Sequence, residues 1–96
     1  MAAPAAAAGT GAGALRVTVL SPEQTVFQGT ADSVVAPAFN GKLGILRGHA
    51  PLMALLGEGE LRVTTGGDER RFMVAGGFLQ VADDEVTVLS ERATPA

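Results

Sequence analysis

Reactive chemistry in this chain would have to be organised around its single histidine, His49. Beside an aspartate, His49 could serve as the base for Ser21 or Ser90, yet neither serine sits in a nucleophile-elbow sequence. A lone histidine in Gly-His-Ala-Pro reads better as a turn residue or an interface donor. Gly41-Lys42 invites a phosphate-loop reading. That loop needs a glycine at position 36 and Ser or Thr at 43, and the chain has Ala36 and Leu43. Gly9-Thr-Gly-Ala-Gly13 has the density of a dinucleotide loop but no preceding strand. Asp68-Glu69 and Asp83-Asp-Glu85 lack the alternating ligand spacing of a calcium loop and read as solvated turn charge. With no cysteine, thiolate metal sites, disulfides and Cys nucleophiles are out of reach. The expectation is no catalytic residue, no cofactor and no metal: a protein that works by surface contact.

The elements that would position a contact surface have a period of two. In Leu15-Arg-Val-Thr-Val-Leu20, residues Leu15, Val17 and Val19 share a face; in Glu60-Leu-Arg-Val-Thr-Thr65, Leu61 and Val63 do. Arg71-Phe-Met-Val-Ala75, Phe78-Leu-Gln-Val81 and Glu85-Val-Thr-Val-Leu89 read as further strands, and Ser33-Val-Val-Ala36 as a short one that Pro37 ends or puts on an edge. Ser21-Pro-Glu-Gln24 and Ala82-Asp-Asp84 are turns. Gly57-Glu-Gly59 and Thr65-Gly-Gly-Asp68 predict hairpins, and Gly76-Gly77 a bulge or a bend between sheets. Pro51-Leu-Met-Ala-Leu-Leu56 offers a single short helical turn at most. The most unusual stretch is Gly41-Lys-Leu-Gly-Ile-Leu-Arg-Gly-His-Ala-Pro-Leu52, twelve residues with three glycines, a proline and the histidine. It reads as a loop held in one shape. The expected fold is all-β, a flattened two-sheet β-sandwich with mostly antiparallel strands.

At 96 residues the chain is one small domain. Ten acidic against seven basic residues give a net charge of −3, the wrong sign for nucleic acid or an anionic membrane surface, and there is no Trp or Tyr to stack on bases. Residues 1–14 are almost wholly Ala, Gly and Pro, which predicts a flexible tail rather than a signal or transit peptide. No apolar run reaches the ~18 residues of a membrane span, so the expectation is a soluble chain without membrane insertion.

Five blocks in order carry a resemblance: Leu20-Ser-Pro-Glu-Gln24 with Val26-Phe-Gln-Gly29, the Gly41–Leu52 element, Gly59-Glu-Leu-Arg62, Phe72-Met-Val-Ala-Gly-Gly-Phe-Leu-Gln-Val81, and Val86-Thr-Val-Leu89. Together, over about Leu15 to Glu91, they closely resemble the N-terminal domain of the epsilon subunit of F-type ATP synthases. The resemblance implies a sandwich domain over 15–91 with a short tail at 92–96. It also implies a non-catalytic central-stalk rotor subunit that couples gamma to the polar loops of the membrane c-ring during proton-driven ATP synthesis. Its setting would be a hetero-oligomeric complex, peripheral on the cytoplasmic face of a bacterial membrane. Carried over by position, Ser21, His49, Ala50, Pro51, Leu52, Met53 and Ala54 would face gamma; Phe39, Asn40, Gly41, Lys42 and Leu43 would face the c-ring. A free-standing β-sandwich binding module is the alternative, and it would need a sizeable apolar pocket. A small hydrolase built on His49 is the third reading.

The chain departs from the pattern in three places. Lys42 stands where the family usually has an acidic residue opposite a ring arginine, which implies an acidic or neutral ring loop here. Arg47 stands for a family proline, implying a less rigid turn before Gly48. After Glu91 too few residues follow to form the family's C-terminal helical hairpin, so the expectation is a naturally short form without hairpin inhibition or an ATP site.

Overall fold

The computed structural model describes residues 14–96; the Ala/Gly-rich segment and its Gly9–Gly13 run lie outside the described residues. Leu15–Ser21 (β1), Gln24–Ala31 (β2), Ser33–Ala38 (β3), Gly41–Leu46 (β4) and Leu52–Leu55 (β5) are followed by Glu58–Thr65 (β6), Asp68–Ala75 (β7), Phe78–Ala82 (β8), Glu85–Leu89 (β9) and Arg92–Pro95 (β10). They form two five-stranded sheets, the first ordered β2-β1-β9-β8-β5 and the second β10-β7-β6-β3-β4. Alternating burial builds β1, β8 and β9 and the core-facing parts of β6 and β7. All pairings are antiparallel except β1 with β9, which run parallel with Arg16 opposite Glu85. This is the two-sheet, mostly antiparallel sandwich that the alternation predicts.

The core lies between the sheets. Val17, Val19, Val86, Val88, Leu79 and Val81 from the first meet Val34, Ile45, Leu61, Val63, Phe72 and Val74 from the second, all buried. Phe27 reaches across to Phe72 with ring centroids 5.5 Å apart, and the Arg70 guanidinium covers the outer side of Phe27.

Several expectations change. Half of the Gly41–Leu52 element is strand β4, the edge of the second sheet, and only residues 47–51 are loop. Ile45 is the reason: its buried side chain anchors the segment to the core and fixes it as a strand. The segment weighed as a helical turn is β5, paired with β8 from Leu52↔Val81 to Leu55↔Phe78. The short strand at Ser33 runs on through Pro37, since pairing with β6 stops at Val35↔Arg62 while pairing with β4 continues to Ala38↔Gly41. Proline is tolerated where one neighbour has fallen away. Thr65–Asp68 is the predicted hairpin, but Gly57–Gly59 is not one: β5 belongs to the first sheet and β6 to the second. Residues 92–95, expected within a tail, pair with β7 and bury Ala93.

Three sheet-crossings gather at one end of the sandwich: β5 to β6 through Gly57, β7 to β8 through Gly76-Gly77, and β9 to β10 through Ser90-Glu91. Backbone bonds stitch them, with the N–H of Leu56 donating to Gly77 O (3.0 Å), that of Gly76 to Gly57 O (3.2 Å) and that of Ser90 to Leu20 O (3.0 Å). Gly77 is at φ 96°, and a Cβ there would overlap the Leu89 carbonyl oxygen.

Candidate interaction surface

The groups that could have done chemistry are committed to backbone. The Ser90 hydroxyl is buried, shared between the carbonyls of Arg92 (2.6 Å) and Ala75 (3.1 Å), and accepts from the Ala75 N–H (3.1 Å). It staples the β9–β10 crossing to the end of β7. Ser21 donates to Gln24 O (3.3 Å) across the β1–β2 turn. His49 closes the turn after β4 by donating its N–H to Leu46 O (3.1 Å), and its Nδ1 lies 2.7 Å from the Ala50 carbonyl. That contact calls for the proton on Nδ1. The strand register separates these groups. Leu52 is level with Val81, Val86 and Val17, so His49 lies beyond the start of β1, whereas Ser21 ends β1. Neither serine is brought to His49, and among the described residues no group of His, Asp and Glu could hold a metal ion.

The expected interface residues split by parity. In β5, Met53 and Leu55 point outward, 65% and 66% exposed, while Leu52 packs against the core and Ala54 is half-buried. Ala50 and Pro51 are exposed in the loop. In the other set, Phe39, Asn40, Gly41 and Lys42 are exposed around the β3–β4 turn and Leu43 packs against the core. The Phe39 N–H donates to Leu55 O (2.9 Å), so this turn abuts the end of β5.

The register exposes a feature that reading the strands one at a time missed. Leu20, Leu89, Phe78 and Leu55 are successive partners across β1, β9, β8 and β5. Their chain neighbours Val19, Val88 and Leu79 are buried, so alternation turns these four to the outer face of the first sheet. The next row is Thr18, Thr87, Gln80 and Met53. An apolar row beside an uncharged one makes this face suited to a lasting contact. Its signal in the sequence is a large apolar residue at the wrong parity near one end of each strand: Leu20 after Val19, Leu89 after Val88, Phe78 before Leu79.

The second sheet carries a charged ladder on its outer face, with Met73 and Leu46 also exposed. Arg62 Nε lies 2.9 Å from Glu60 and 3.6 Å from Glu69, and Arg71 reaches Glu69 at 3.6 Å and Glu60 at 4.0 Å. The hydrogen bond that Arg62 donates to Glu60, reinforced by the charges of Glu60 and Glu69, raises the Arg62 pKa above its ordinary value. Beside this ladder a shallow open groove of about 290 Å³ is lined by Val35, Pro37, Lys42, Glu58 and Arg62. Shallow and open, it is not the enclosed apolar pocket with converging polar groups that a small-molecule binding module would need.

The sequence over residues 14–96 matches the family model described as ATP synthase, Delta/Epsilon chain, beta-sandwich domain. The chain belongs to that family. Among its relatives, the ATP synthase epsilon chain of Rhodopirellula baltica is 47% identical over 81 residues, covering 84% of this chain and 63% of the relative. The one from Frankia casuarinae is 49% identical over 80 residues, covering 82% of this chain and 94% of the relative. Most of the relatives compared are longer: the chain spans only 58% of a Synechococcus epsilon chain. Two solved chains share the fold. A chain of the Euglena gracilis mitochondrial ATP synthase, in a structure of OSCP, F1 and c-ring, superposes with a TM-score of 0.81 at 24% identity, over 86% of this chain and 54% of that one. A chain of the Tetrahymena thermophila central stalk and c-ring gives 0.67 at 17% identity, over 82% and 64%.

Proposed function

We propose that this chain is a non-catalytic rotor subunit of an F-type ATP synthase, coupling a gamma subunit to the polar loops of a c-ring in proton-driven ATP synthesis at the cytoplasmic face of a bacterial membrane. The observation that carries the reading is the contrast between the two outer faces. The apolar row Leu20–Leu89–Phe78–Leu55 suits a partner that never leaves, which is what gamma would be. The β3–β4 turn, from Phe39 to Lys42, is exposed at one edge and would meet the ring. Lys42 calls for an acidic or neutral partner there. Ser21 and residues 49–54 would border the gamma contact, Met53 within it and His49 and Ser21 at its two ends.

The test is co-elution of the full chain with its cognate gamma subunit on size exclusion, then with the complete catalytic complex. Wild type should co-elute stoichiometrically. Leu55→Glu and Phe78→Glu place a charge in the apolar row and should weaken binding by about 10-fold or more while leaving the fold intact. If correctly folded wild type ignores gamma, or both glutamate variants bind as well as wild type, the assignment fails.

A further inference from the structure

We propose that Asp84 is the positioning residue for the loop at residues 48–51, and that the gamma contact of that loop depends on its side-chain acceptor oxygen. This inference rests on the rotor reading above. The loop has little else to hold it. Gly48 is exposed, at φ 83°, with nothing near the position where a Cβ would stand, and Ala50 and Pro51 are exposed as well. Among the described residues, the only other bonds of the loop are the His49 N–H to Leu46 O and the His49 ring to Ala50 O.

Asp84 supplies the long-range bond. Its Oδ1 accepts the Gly48 N–H at 2.6 Å, joining segments 36 residues apart. A carboxylate on a backbone N–H is a charge-assisted bond, stronger than a neutral one. Asp84 is held in place on its other side: it is half-buried, it occupies the second position of the β8–β9 turn at φ 60°, and its carbonyl accepts the Arg16 N–H at 2.9 Å. Arg16 in turn reaches Asp83 O (3.5 Å) and the Glu85 carboxylate (3.9 Å). One residue therefore ties the start of β1, the β8–β9 turn and the β4–β5 loop into one corner. The reading of Asp83-Asp84 as solvated charge holds for exposed Asp83 and fails for Asp84.

The experiment compares Asp84→Gly, which keeps the left-handed turn and deletes the acceptor, with Asp84→Asn, which keeps both, in the full chain. In Asp84→Gly the Gly48 amide should exchange with solvent about tenfold faster or more, while the β1 and β9 amides keep their protection. Dissociation from the cognate gamma subunit should speed up roughly three- to tenfold, and Asp84→Asn, whose neutral amide oxygen still accepts, should fall between wild type and Asp84→Gly on both readouts. Wild-type gamma affinity in Asp84→Gly, or an Asp84→Asn as weak as Asp84→Gly, overturns the proposal. A wild-type chain that does not bind gamma overturns the rotor reading and the dependence on it, and the Gly48 exchange then decides the tether alone.

Discussion

Ser90, Gly77 and Asp84 show how little of a residue's role is carried by its type. Ser90 and His49 have the chemistry of a hydrolase, but one staples a sheet-crossing and the other closes a turn at the opposite end of the first sheet. Gly77 and the other loop glycines look alike in the sequence, yet among the described glycines only Gly77 has backbone overlapping the place of a Cβ, while Gly57 has the Ala38 carbonyl oxygen in tight contact at 3.2 Å. Gly77→Ala must therefore strain a positive φ and push apart the β7–β8 and β9–β10 crossings. The expected cost is about 3–5 kcal/mol, or failure to fold, read as a lowered urea midpoint. Near-wild-type stability would mean the corner has slack that the packing does not suggest. Gly66→Ala is the comparison, since Gly66 has a similar left-handed φ but open space around it.

At the scale of elements, β1 and β6 to β9 are legible because one of their faces is buried and alternation writes that into the chain. Strands β4 and β5 are hidden by Gly41, Gly44 and Pro51, whose loop character masks the single buried anchor Ile45. The crossing at Gly57 was unreadable for a different reason. A glycine turn has the same vocabulary whether the next strand pairs back or changes sheet, and what decides it is the contact with Gly76, nineteen positions on. The residues expected by position to face gamma include Met53 but not the row that the register assembles, because pairing between strands is not local information. The ladder Glu60–Arg62–Glu69–Arg71 is prominent to the eye and weak in consequence. Its members are solvent-accessible, so water and salt screen them. The raised pKa of Arg62 means that whatever it contributes is fully present below its ordinary value and fades only as pH climbs through the raised one. Thermal melts of Arg62→Ala should shift by no more than a few degrees, and wild type should melt alike from neutral pH to mildly alkaline. A large drop would show the ladder to be structural.

For the molecule as a whole, the parallel pairing of β1 with β9 has a consequence in time. Until β9 exists, β1 has β2 on one side and nothing on the other, and the residues that face Val17 and Val19 across it are absent. At the ribosome's pace of about 5–20 residues per second, roughly 3 to 14 s separate synthesis of Arg16 from that of Glu85. Nascent chains arrested before β9 leaves the exit tunnel should be cut readily by protease, and those arrested after β10 emerges should resist; protection at the earlier arrest would mean the second sheet folds alone. During that wait β1 keeps an unpaired edge open to other chains, so the gap between an early strand and its late partner is where mispairing would begin.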